Sequence, residues 1–517
     1  MPLLKKGILA AGIEGIDFSV PATFISERAG FPKNMRIYRN ELRKRYGKSK
    51  YGSVAISGGQ VMGLGRFEDM ETGNQYLLRT SKTKYEKYNT STSAWESISA
   101  TDFTGSDDDF FSFANVVENQ LIVVSNGVDK IRKWTGTGNN AVLGGNPPLA
   151  KFLCYMSPYL LLAHIDDGVN TNSCKLQWPD TGDPENWTTG NADSAVLSNE
   201  PSPIRNIARL DSWAAVYKRD SLWLGRADDY DIFIFTCEKT GIGLAASRAF
   251  ADVSGVHYFM SEMDGNIGFH RWNGGIPEPI DKAVREEIAY RINMSKVNRC
   301  FSLHLSEYGE VWFFIVINGK SWPTEIWKYN YRNGFWYYDT CPEMTSAIIY
   351  QSVSGTVWDD VSEVWNNMLV SWNELMMIGD HETIMGGSDG YTYKEDPLTA
   401  NDDGVAVEAV FETGDFWVDA LEHYKRWLRI DFWGKGSGKL YIDYSIDEGA
   451  NWTNIPYTSS QAYIDLSGTV YTKTEMYLDI LSDKIRFRFR NATAGETFYI
   501  RNIYPYYLSR EQTGGHR

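Results

Sequence analysis

The chain is poor in cysteine, and its cysteines do not pair by spacing. Cys154, Cys174, Cys237, Cys300 and Cys341 are odd in number, widely spread and free of any C-x-x-C pattern. That argues against a disulfide framework or a zinc knuckle and points to folding in a reducing compartment. Proline is sparse beside glycine, 17 against 46, a balance suited to many tight turns. No apolar run approaches the roughly 18 residues that cross a bilayer. The N-terminal run from Gly7 to Ile13 is short for a signal-peptide core and is followed by Glu14, so no signal peptide is expected. Helical periodicity is almost absent; the best stretch is Asp281–Arg291, with Asp281 as candidate N-cap. Positive charge is in deficit, 51 Lys and Arg against 66 Asp and Glu, a net −15. A protein that grips nucleic acid needs the opposite sign. Two readings of the acidity stand: plain solubility, or a like-charged wall along which DNA slides without sticking.

Catalytic patterns are equally thin. The seven histidines, His164, His257, His270, His304, His381, His423 and His516, form no H-E-x-x-H or close ligand pair. The acidic groups Asp107–Asp109, Asp166–Asp167 and Asp228–Asp229 lack the spacing of a calcium loop and read as solvated turns. Gly386-Gly387-Ser388-Asp389-Gly390 matches G-x-S-x-G, but Tyr391–Lys394 reads as a strand where a nucleophile elbow needs a helix. Gly241-Ile242-Gly243-Leu244-Ala245-Ala246 resembles a dinucleotide fingerprint without a βαβ series around it.

Aromatic residues are what the chain has in plenty: 14%, with 18 Trp and 31 Tyr, at 43% apolar and 23% charged. Those are globular values tilted toward β structure and subunit interfaces. With 517 residues, two or three domains are expected. From about 51 to 400 the pattern is strand, turn, strand. Leu121–Ser125 leads through Asn126-Gly127 to Lys130–Trp134; Trp213–Tyr217 precedes Ser221–Leu224; Val256–Met260 leads through Asp264-Gly265 to Ile267–Trp272. Such pairs recur roughly every 40–55 residues, six or seven times, which reads as a β-propeller rather than as unrelated hairpins of a sandwich. Trp358, Trp365 and Trp372 open three near-copies of one phrase. They read either as repeated short turns inserted near 353–374 or as one face of a helix.

The ends differ from the middle. Residues 1–50 look like an arm carrying Arg36, Arg39, Arg43, Lys44, Arg45, Lys48 and Lys50. The arm is either a contact for an acidic partner or DNA, or a solvated hairpin of Met35–Tyr38 and Leu42–Tyr46, the second being preferred. In the last unit, 405–517, residues 405–510 alternate apolar and polar over several strands, as in Arg426–Phe432, Lys439–Tyr444 and Lys484–Arg490. That predicts a β-sandwich, with Arg486, Arg488 and Arg490 on one face and Phe487 and Phe489 on the other. Ser445-Ile446-Asp447-Glu448-Gly449-Ala450-Asn451-Trp452 matches the Asp-box pattern, a structural turn. The fold class expected is therefore all-β: an N-terminal arm, a propeller core and a C-terminal sandwich.

Several short segments, taken in order, resemble the tail nozzle or hub proteins of short-tailed bacteriophages. These are Phe18–Pro21 with Asn34–Tyr38, Asn126-Gly127 with Lys133-Trp134 and Pro147-Pro148, and Gln177–Asp180 with Gly182–Trp187. Trp213–Trp223, Gly241–Arg248, the Trp repeats and Ser445–Trp452 follow. The resemblance implies a structural virion protein forming a ring, six copies, at the distal tail, assembled in the bacterial host cytoplasm. Its implied partners are further copies of itself, an adaptor ring, tail fibres or a plug, and double-stranded DNA in transit through the lumen, with no stable membrane insertion. It implies no catalytic, cofactor-binding or metal-ligating residue. If the chain lines such a channel, acids such as Asp107–Asp109, Asp228 and Asp229 are the candidates to face it. A glycan-binding or glycan-cleaving propeller is the alternative from another class.

Overall fold

The computed structural model describes residues 5–7, 14–26, 29–38, 41–226, 232–351, 381–418 and 423–509. The Trp358, Trp365 and Trp372 repeats, the Asp228–Asp229 pair and His516 lie outside the described residues.

The chain is all-β, as its alternation predicts. Its centre is a propeller whose blades are antiparallel sheets of about four strands. Each blade opens on an apolar strand: Gly63–Glu68, Ser112–Val116, Leu149–Met156, Ile204–Leu210, Phe250–Val253, Phe301–Leu305 and Met344–Tyr350. These inner strands pack in sequence except between the fourth and fifth blades, where Trp213–Lys218 and Ser221–Arg226 meet Gly243–Leu244, and Met344–Tyr350 closes the ring against Gly63–Glu68. Among the described residues six blades stand as separate sheets, and the blade from Phe301 to Thr340 is continuous with the C-terminal sheet. Cores lie between neighbouring blades. Leu161, Ala163 and Trp178 of one blade meet Ile207, Val216 and Trp223 of the next, for example. Apolar residues therefore occur on both faces of a central strand, as in the fully buried Leu121–Ser125.

The last blade is finished by the start of the chain. Gly47–Lys50 pairs antiparallel with Thr392–Asp396 as its outer strand, Lys48 opposite Glu395. Just before it, Met35–Tyr38 pairs with Glu41–Lys44, so the expected hairpin is present. It is not solvated. Arg36, Arg43, Lys44, Arg45 and Lys48 are all buried between the last blades and the C-terminal domain. They are tolerated there because acidic and aromatic partners surround them. Arg45 meets Asp402 at 2.5 Å, Lys48 lies 3.7 Å from Asp402, and Arg36 lies 3.3 Å from the Tyr308 ring centre.

The C-terminal domain is a β-sandwich organised by one long strand, Lys425–Ser445, which joins both sheets. The two runs read separately from sequence, Arg426–Phe432 and Lys439–Tyr444, are one strand. It turns through Gly436 and Gly438, at φ +149 and +123. A Cβ on Gly436 would stand 2.3 Å from the Thr497 carbonyl oxygen, so only glycine fits that close pass. On one side lies Thr497–Ser509, on the other Ile464–Ser482. Phe487 and Phe489 are buried in the core while Arg486, Arg488 and Arg490 face the other way. Gly30–Lys33 bridges the domains. It pairs antiparallel with Ala409–Thr413 and in parallel with the Phe335–Thr340 strand through Lys33 and Tyr338.

The short helix occupies Arg285–Arg291, inside the predicted stretch. Asp281 is not its N-cap; Val284 is. The buried Asp281 carboxylate instead accepts from the Phe269 backbone N–H at 2.9 Å and from the Arg285 guanidinium at 2.6 Å. It ties the helix to the preceding blade.

Candidate functional site

The axis of a propeller is where its blades bring the most loops together. Here the loops on one face surround a cleft of about 240 Å³ reached by Asp108, Lys151, Arg205 and Asn298 from four different blades, with His164 from the blade of Lys151. Its acids are engaged. Asp107 accepts from Lys82 and from Gln60, each at 2.8 Å. Asp108 accepts from Arg299 at 2.7 Å and from Asn298 at 3.3 Å, contacts that cross the ring from the second blade to the sixth. Asp109 accepts from the Ser106 backbone at 2.8 Å. The Lys82 and Arg299 bonds hold the Asp107 and Asp108 carboxyls below the usual carboxylate range.

Next to these acids lies an aromatic and cationic contact. Phe110 packs edge-on to Trp322 at 6.3 Å and lies under the Arg248 guanidinium at 3.6 Å. Arg248 donates to the Thr345 carbonyl at 2.6 Å, while its Nε is buried without a partner among the described residues. Burial pushes Arg248 down to about 9. The axial face thus works as a clamp: four blades are tied through Asp108, Arg248, Arg299 and Thr345. Asp107–Asp109, candidates for a channel wall on sequence, sit at the mouth of the chain's own propeller.

The other sequence candidates fall apart spatially. Ser388 donates to Glu343 at 3.0 Å, and the strand Thr392–Asp396 follows where an elbow needs a helix. Gly241 sits at φ +79 with the buried Ile242, Leu244, Ala245 and Ala246 after it and the strand Phe250–Val253 beyond. That is a turn with apolar packing and not a phosphate cradle. His257 bonds Tyr217 at 2.7 Å and the Arg209 carbonyl at 2.9 Å; His270 bonds Ser261 at 2.8 Å. Burial lowers both imidazoles, so each is a neutral core group. Among the described residues no group of three or more His, Cys, Asp or Glu is placed to hold a metal ion. All five cysteines are free thiols. Among the described residues no helix is long and apolar enough to cross a membrane.

The Asp box forms the turn its pattern predicts. Asp447 accepts from the Asn451 backbone N–H at 2.9 Å and from the Ser445 hydroxyl at 2.7 Å. Glu448 and Gly449 take φ +63 and +91. The Asn451 and Ser445 bonds lower the Asp447 carboxyl to about 2. Asp447 is exposed, so the turn is organised at the surface and not around a buried carboxylate. Trp452 lies 4.3 Å from the Arg488 guanidinium, which connects the box to the arginine face of the sandwich. Sequence reasoning separated these two features because the strands that carry them are far apart in the chain.

No family model matches the chain and no curated protein matches it. Among solved structures it is similar to a mutant of CBM29-2, a family 29 carbohydrate-binding module. That likeness has 18% identity, covers 19% of this chain and 61% of that one, and has a TM-score of 0.14. It is also similar to the extracellular domain of a hybrid two component system, BT4673, from B. thetaiotaomicron. There the identity is 8%, the coverage 81% of this chain and 47% of that one, and the TM-score 0.39.

Proposed function

We propose that the chain is a structural protein of a short-tailed bacteriophage tail. Six copies form a ring at the nozzle or hub, which retains the packaged genome and then conducts it. The observation that carries this reading is the ordered series of nozzle-like segments, from Phe18–Pro21 to Ser445–Trp452, on a chain whose core is a β-propeller. Two features of the fold are in keeping with it. Phe110, Arg248 and Trp322 pack together on the loop face of the propeller, and in this reading the conduit lies between copies. The 19-residue strand Ile464–Ser482 pairs on one edge with Lys425–Ser445, and among the described residues its other edge pairs with no strand. Val470, Tyr477 and Leu481 on it are exposed. A long open edge of this kind invites pairing with a neighbouring chain.

The neighbours in this reading are an adaptor ring above, fibres or a plug below, and duplex DNA passing without sequence-specific contact. The net charge of −15 suits a wall that repels the phosphate backbone. Particles assembled without this chain test it. They should package DNA and then lose it, as read by nuclease-accessible genome. Full retention in its absence would overturn the proposal.

A further inference from the structure

A second cleft, of about 650 Å³, opens where the N-terminal segment, the sixth blade and the sandwich meet. It is distinct from the axial mouth, and its floor is the sheet that runs from the blade into the sandwich. Strand register places two rows of side chains across that floor. One row reads Asp443, Arg488, Glu412, Phe31. The next reads Tyr441, Arg490, Val410, Lys33, Tyr338.

The guanidiniums are fixed before any ligand arrives. Arg488 donates to the buried Asp443 through Nε at 3.0 Å and Nη2 at 2.8 Å. Arg490 donates to the same Asp443 oxygen through Nε alone, at 2.7 Å. One carboxylate therefore serves two cations. The two terminal nitrogens of Arg490 make no hydrogen bond among the described residues, and its side chain is 36% exposed. Its plane is further held by the Tyr441 ring, 4.8 Å away. A guanidinium tethered by Nε presents two parallel N–H groups, the geometry that takes a carboxylate side-on.

The opposite row supplies acceptors. Glu412 is half-buried, and its carboxylate makes no hydrogen bond among the described residues. Burial raises its carboxyl above the usual range despite Arg488 and Arg486 nearby. Glu408 is paired with Lys33 at 2.9 Å and half-exposed. Every cation of the lining already has a carboxylate, Lys33 in Glu408, Arg291 in Glu325, Arg486 in Asp415, and Arg488 and Arg490 in Asp443, which disfavours a dianion such as phosphate; Glu412 is left to accept from hydroxyl donors. Phe31 adds a ring face at the blade end, with Phe18 packed 5.3 Å from it, and Tyr338, stacked on Trp327 at 4.9 Å, forms part of the wall. A monoanion, several hydroxyls and a compact ring body together describe a sugar acid.

We propose that this cleft binds a carboxylate-bearing saccharide, with Arg490 taking the sugar carboxylate and Glu412 accepting from its hydroxyls. The site is independent of the ring reading above, and a tail protein and a non-viral propeller would carry it alike.

Titration calorimetry on the full chain tests it, with a panel of uronate oligosaccharides, their methyl esters and inorganic phosphate as probes. At least one uronate oligomer should bind saturably, with its ester about tenfold weaker, about 1.4 kcal/mol. Arg490→Gln should lose about tenfold with its melting curve unchanged. Should Arg490→Gln melt abnormally, Glu412→Gln carries the same reading, with weaker uronate binding expected. No saturable uronate binding, wild-type affinity in a folded variant, or phosphate binding as tightly as the uronates would each overturn the proposal.

Discussion

Replacing Arg45 by methionine should destabilise the whole chain, because that one side chain joins three separate parts of it. Its Nε donates to Asn34 Oδ1 at 3.1 Å, in the N-terminal hairpin. Nη2 donates to the Thr340 carbonyl at 3.0 Å, at the end of the sixth blade, and to Asp402 Oδ2 at 2.5 Å, beyond the last blade. Nη1 donates to Asp402 Oδ1 at 2.9 Å and to its neighbour's carbonyl at Tyr46. Methionine fills similar volume but leaves the Asp402 carboxylate buried with Lys48, 3.7 Å away, as its remaining cation. Breaking a buried pair in this way costs about 3–5 kcal/mol. Lys48 softens the loss, so the lower end, about 3 kcal/mol, is the expectation. Denaturant unfolding followed by tryptophan fluorescence reads it. Limited proteolysis reads the consequence, since a loosened Gly47–Lys50 strand should expose the N-terminal segment to cleavage. Asp402→Asn in the Arg45→Met background should recover at least about 1 kcal/mol, because the stranded charge is gone. A cost under about 1 kcal/mol for Arg45→Met, or strict additivity of the two substitutions, would refute the idea that this cluster closes the propeller.

Three further outcomes follow from the same physics. Asp108→Asn should weaken the clamp by about 0.5–1 kcal/mol, the range of a partly exposed pair; an unchanged melting temperature would contradict it. Burial and then the charge of Arg45 push Lys44 down to about 8. The unfolded chain, with its lysine near 10.4, then binds the extra proton between the two values. Lys44 therefore makes stability rise with pH from about 8 to about 10. Lys44→Met should flatten that rise relative to the parent, and an identical pH profile would refute the assignment. Asp447→Ala should lower the melting temperature at neutral pH. Its carboxyl sits at about 2, so the difference from the parent should persist at pH 4 and shrink only as pH falls toward 2; a difference already lost at pH 4 would contradict the turn chemistry.

Most of the propeller was legible because its strands are short, apolar and separated by turn pairs. Trp213–Tyr217 with Ser221–Leu224, and Val256–Met260 with Ile267–Trp272, fall inside observed strands. The closing strand was not legible. Gly47–Lys50 carries two lysines and no apolar residue, and only the acids across from it make burial of Lys48 tolerable. For the same reason the basic hairpin looked solvated. Its partners Glu395, Asp402 and Tyr308 lie hundreds of residues away, and no local pattern reports them. The edge strand Ile464–Ser482 was missed although Val470, Tyr471, Thr472, Thr474 and Ile480 have strong β preference. Its exposed apolar residues blur the alternation that marked Lys484–Arg490. The arginine cleft joins residues from three regions, so sequence showed the ladder Arg486, Arg488, Arg490 but not Glu412 or Tyr338 beside it.

The most direct measurement of the central claim is the position and copy number of this chain in an assembled virion, by electron microscopy of tails. A closed ring of six copies at the distal end is expected, with the duplex path between propellers and not through one. A particle that lacks the chain, or one that holds it as isolated single copies, would contradict the account.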